Sequence, residues 1–157
     1  MRLLTLTFTA LAISPFIANG EPICPWLSSA TAAGVLGGPV TTAVSHSAKN
    51  KEDATCEFTH QAPVTYTLRI EVTTMSHLPT DFTSWLTQCG PNATPVRGIG
   101  NQAVACDLKD SVAAQILSRV RERAFLVRVT ANKSSIPLQP LRDQARSVAD
   151  QVSGNLF

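Results

Sequence analysis

The sequence predicts an α+β domain: an antiparallel sheet with N-terminal, central and C-terminal helices packed mainly on one face. Three observations lead there. Residues 64–75 alternate Val64, Tyr66, Leu68, Ile70 and Val72 with Thr65, Thr67, Arg69, Glu71 and Thr73, the period of a strand with one buried and one wet face. Residues 138–153 place Leu138, Leu141, Ala145, Val148, Ala149 and Val152 on one side of a helix. Four cysteines supply the cross-links that brace a small core.

Taken in order, Leu27-Ser28-Ser29 opens a short helix, with serine able to cap its first amides, that continues through Ala30, Ala32, Ala33, Val35 and Leu36 until Gly37-Gly38-Pro39 ends it. Val40–Val44 reads as a strand, Ser45–Asp53 as a loop, and Ala54–His60 as the returning strand before Val64–Met75. Pro79-Thr80-Asp81 opens a second short helix carrying Phe82, Trp85 and Leu86, and Cys89-Gly90-Pro91 stops it. Residues 90–100 are loop by composition, and Ala103–Cys106 is a short strand. Over 111–124 the positions Val112, Ala113, Ile116, Leu117, Val120 and Ala124 fit a helical stripe. The same stretch also reads as a strand turning through Arg121-Glu122-Arg123 into Phe125–Thr130. The final helix ends at Gly154.

Composition narrows the class. The 157 residues are 44% hydrophobic and 15% charged, with 13 basic against 11 acidic side chains. That excludes a disordered tail, a coiled coil, a collagen-like repeat and a polybasic nucleic-acid arm. Residues 1–20 read as a cleaved signal peptide: Arg2, an apolar run from Leu3 to Ile17, then Ala18-Asn19-Gly20. The mature chain is then one domain, residues 21–157, whose formal charge drops from +2 to +1 as Arg2 departs. Such a charge gives no drive toward nucleic acid or an anionic membrane. Cys24 follows Glu21-Pro22-Ile23 rather than a lipidation box, so a secreted or periplasmic product with no membrane attachment after cleavage is expected.

In an oxidising compartment Cys24, Cys56, Cys89 and Cys106 form disulfides. Of three pairings we favour Cys24–Cys56 and Cys89–Cys106, each joining neighbouring elements, at about 3 kcal/mol apiece in the chain-entropy model. No C-x-x-C pair is present, and the Cys56/His60 spacing has no second pair with which to hold zinc.

Candidate chemistry is sparse. Gly98-Ile-Gly-Asn-Gln-Ala103 matches a dinucleotide pattern, but a Pro-rich loop precedes it and β-like residues follow, so a tight turn is expected and no cofactor. His46, His60 and His77 accompany neither a nucleophile elbow nor an H-E-x-x-H helix. Arg119, Arg121 and Arg123, with Arg128 nearby, form the densest charge. On one strand the first three share a face, a candidate site for an anion or a partner, against the alternative of a charged edge that discourages aggregation. Asn92-Ala-Thr94 and Asn132-Lys-Ser134 are glycosylation sequons.

The chain resembles small exported bacterial proteins and lipoproteins of unknown function. The likeness rests on Cys24-Pro-Trp-Leu-Ser-Ser, the Val-Leu-Gly37-Gly-Pro-Val40 helix end, the Cys56-Glu-Phe strand, Pro95-Val-Arg-Gly-Ile-Gly-Asn-Gln-Ala103 and Arg119–Arg128. In that family the last region is strand, which tips residues 111–124 toward a hairpin. The resemblance implies no reaction. The expected function is a non-enzymatic binding or accessory module whose partner is an unknown protein or small ligand. The alternative is an inhibitor of an extracytoplasmic hydrolase presenting Ser45–Asp53 or Gly90–Gly100. A small hydrolase using His60 or His77 comes last.

Overall fold

The computed structural model describes residues 20, 22–61, 63–77, 80–108 and 111–157. Apart from Gly20, the expected signal peptide lies outside them. Helix α1 (Ser29–Leu36) begins where the Ser28 hydroxyl accepts the Thr31 amide at 3.1 Å. It ends at Gly37, whose φ of 84° suits a residue without a side chain. Strands β1 (Thr41–His46), β2 (Ala54–Gln61) and β3 (Thr65–Thr74) follow as a meander. Then come α2 (Thr80–Leu86), a 3-10 segment (Thr87–Asn92), β4 (Thr94–Val96), β5 (Gln102–Leu108), β6 (Val112–Val120), β7 (Arg123–Ala131) and α3 (Leu138–Leu156).

Among the described residues the seven strands form one antiparallel sheet in the order β1-β2-β3-β7-β6-β5-β4. The α+β class is therefore as expected. Two meanders meet where β3 pairs with β7, from Tyr66 opposite Ala131 to Thr74 opposite Arg123. Helices α1 and α3 share one face over the main core: Phe58, Leu68, Ile70, Phe125, Val127 and Val129 meet Leu141, Ala145, Val148 and Val152. The central helix is the exception to one-sided packing. It and the 3-10 segment cross the opposite face, where Trp85 and Leu86 pack on Val104, Leu117 and Leu126, and Phe82 on Met75 and Ala124.

The hairpin reading of residues 111–124 is the one the chain adopts. A helical stripe arises there because Ala113 to Ser118 are all buried: β6 is covered on both faces and loses its alternation. Several boundaries shift, β5 and β7 among them, each longer at both ends than expected. β1 takes in Ser45 and His46; the 3-10 segment runs through Cys89-Gly90-Pro91 to Asn92; residues 90–100 contain β4; and α3 continues past Gly154 to Leu156.

Both favoured disulfides are present, with S–S distances of 2.09 and 2.12 Å. Cys24–Cys56 ties the N-terminal stretch to β2, and Cys89–Cys106 ties the 3-10 segment to β5. Among the described residues no helix is long and apolar enough to cross a membrane.

Candidate functional site

Helix α3 packs on β6 and β7, so the sheet's β4–β5 end reaches past its cover. The strip left beside the helix is a groove of about 900 Å³, within the size range of ligand pockets. Its apolar lining comes from three sources. Val96, Ala105 and Val112 rise from β4, β5 and β6; Ile136 comes from the approach to α3; Leu138 comes from the helix's first residue. All five are only half-buried while touching the main core, an apolar patch that folding alone leaves uncovered.

The rim is charged but internally compensated. Arg142 on α3 reaches Asp107 on β5 with two hydrogen bonds, Nε to Oδ1 at 3.0 Å and Nη2 to Oδ2. This fork-on-carboxylate contact straps helix to sheet. The hydrogen bond from Arg142 holds the Asp107 carboxyl below its ordinary value, assisted by the guanidinium's charge and opposed by partial burial. The same bond raises Arg142. Gln139 accepts from Arg142 Nη1 at 3.5 Å and donates to Asp143 at 2.9 Å. Arg146 donates to the Arg97 carbonyl at 3.2 Å. Two cations therefore face two carboxylates along the rim.

The three arginines of the 119–123 cluster do not share a face. The β6–β7 turn falls between them: Arg121 occupies it with φ of 53° and donates its amide to Asn101 Oδ1 at 2.7 Å. Arg119 stands opposite Ala124 on the α2 side, its guanidinium carbon 5.9 Å from the Phe82 ring centroid. Arg123 stands opposite Val120 on the α3 side and pairs with Glu52 at 2.5 Å. A turn centred on Arg121-Glu122 reverses the chain and breaks the single-strand geometry the cluster needed.

The histidines are held apart in local structure. His60 Nδ1 lies 2.8 Å from the Pro39 carbonyl, with its ring against Gly38. His46 Nδ1 lies 3.2 Å from the Lys51 carbonyl. The His77 amide donates to Asp81 at 2.8 Å. Among the described residues, no three acidic, histidine or cysteine side chains cluster as metal ligands do. The Gly98–Ala103 motif is the expected tight turn. Gly100 donates its amide to Ser153 Oγ on α3 at 2.9 Å, Ile99 enters the core, and β5 begins at Gln102. No helix N-terminus follows the second glycine, which is the feature phosphate binding requires.

Sequence reasoning missed the groove, because Val96 lies in a segment that reads as loop and Ile136 precedes the periodic stretch of the final helix. It also missed Gln115, which is 1% exposed. Gln115 accepts from Arg128 Nε at 2.9 Å and donates toward Cys106 Sγ at 3.2 Å and the Gln88 carbonyl at 3.3 Å. Burial lowers the Arg128 pKa, as does the nearby Arg69 cation, with Glu71 opposing; a guanidinium stays charged nonetheless. Compared with protein-family models, with curated proteins and with solved structures, the chain finds no significant match.

Proposed function

We propose that the protein is a secreted or periplasmic, non-enzymatic binding module, related to the small exported bacterial proteins it resembles. Its site is the groove between α3 and strands β4–β6. The observation that carries this is the convergence of five half-buried apolar side chains, Val96, Ala105, Val112, Ile136 and Leu138, in one concavity. Burying such surface on binding is favourable at roughly 25 cal/mol per Å². The compensated rim points to an uncharged, apolar small ligand rather than an anion, since Arg142 and Arg146 already have partners. Two disulfides support an address outside the cytoplasm.

The inhibitor reading has less support. Ser45 and His46 are strand, and Asp53 is fastened to Thr73 and Thr74. Residues 90–100 hold β4 and the pinned glycine turn. Neither segment projects as a free loop.

The neutral fluorophore 1-aminoanthracene tests the proposal. Its emission should rise and saturate at one equivalent of the disulfide-bonded chain. Ala105→Trp, which fills the groove from β5, should abolish the rise while near-UV circular dichroism still reports a folded chain. Absence of saturable binding to the wild type, or binding undiminished in Ala105→Trp, refutes the assignment.

A further inference from the structure

The two edges of the sheet are built differently. β4 has three residues, and Pro95 at its centre lacks an amide donor, two devices that blunt an edge. β1 has neither. It runs six residues, Thr41-Thr-Ala-Val-Ser-His46, without proline, lysine, arginine, aspartate or glutamate. Its inner side is fully paired to β2, from Thr41 opposite Thr59 to His46 opposite Ala54. Among the described residues no strand or loop backbone closes its outer side. The strand is also held firmly in place, with the Thr42 hydroxyl 3.1 Å from that of Ser29 and Val44 packed on the core.

We infer that β1 pairs with β1 of a second copy of this chain, antiparallel about a two-fold axis at Ala43. Self-complementarity selects the occupant. Under that symmetry Thr41 faces Ser45, Thr42 faces Val44 and Ala43 faces itself, so across residues 41–45 small or β-branched uncharged side chains meet. No like charges oppose one another, and the exposed Ala43 leaves the axis unobstructed. The two seven-stranded sheets then continue as one. An edge of six residues makes a small interface, so the dimer is weak and exchanges rapidly. The groove lies beside the opposite edge, so this inference stands or falls separately from the ligand assignment.

Sedimentation velocity on the disulfide-bonded chain, over about 1 µM to about 1 mM, reads the association directly. The wild type should show a reversible monomer–dimer equilibrium. Ala43→Lys and Ala43→Glu each set like charges across the axis and should sediment as monomers, while their equimolar mixture recovers the dimer. Thr94→Lys on the β4 edge should leave the equilibrium unchanged. Circular dichroism confirms that each variant is folded, as expected for substitutions at exposed positions. A wild type that is monomeric throughout, or a dimer that persists in both Ala43 variants, overturns the inference.

Discussion

Gly100 sits where backbone shape and space both demand glycine. Its φ is 58°, and a methyl group there would come within 2.4 Å of the Arg119 carbonyl oxygen and 2.7 Å of Ser118 Oγ. Neither neighbour can give way: Arg119 belongs to β6, and the buried Ser118 hydroxyl is bonded toward the Ile99 and Gln102 carbonyls. Gly98 shares the left-handed conformation, at φ 84°, but has nothing within 4 Å of its added carbon. Gly100→Ala should therefore destabilise the protein by about 3 kcal/mol, against about 1 kcal/mol for Gly98→Ala. Urea unfolding measures the difference, and equal losses would show that conformation alone matters. The glycine pair was legible as a turn because glycine carries its conformational meaning locally. Gln115 and Ser118 were not, since a polar residue on a strand is read as wet until a second layer is known to cover it.

At the scale of elements, α3 and β5 are linked by the Arg142–Asp107 strap. The Asp107 carboxyl is held below its ordinary value in the folded chain. Its contribution to stability is therefore complete above that ordinary value and is lost as pH falls through the depressed one. Arg142, whose value is raised, stays charged throughout. Asp107→Asn should lower stability at neutral pH by under about 1 kcal/mol, because both side chains remain partly exposed. The gap between wild type and variant should close as the solution is made strongly acidic. Urea midpoints measured across the acid range check this; a gap that widens on acidification contradicts it. The amphipathic face of α3 and the alternation of β3 were plain in the sequence. β6 was ambiguous because coverage on both faces erases the period that distinguishes strand from helix. β4 was hidden because three residues around a proline carry no period at all.

At the scale of the whole molecule, the described residues form a sheet with its main core under α1 and α3 and with α2 and the 3-10 segment covering β5–β7 on the other face, and one disulfide serves each side. Cys24–Cys56 anchors the N-terminal stretch on the α1–α3 side, and Cys89–Cys106 fixes the 3-10 segment on the other. Removing the first bridge by Cys24→Ser with Cys56→Ser should cost about 3 kcal/mol, measured as a lower thermal midpoint with the folded β-sheet circular dichroism retained. A midpoint unchanged from wild type would show that the N-terminal stretch is held by packing alone. At this scale the sequence indicated the class and the cysteine pairing. The strand order was not accessible, because the β3–β7 partnership joins segments whose patterns say nothing about each other.

That partnership has a consequence for the chain as it is being made. β3 is complete early, yet its neighbour on the far side is the last strand synthesised. Until Ala131 has emerged, the nascent polypeptide carries a three-strand flap with an open seam of alternating apolar residues. The interval between those two events is when the newborn molecule is most prone to stick to others, and when a holding chaperone would have most to protect.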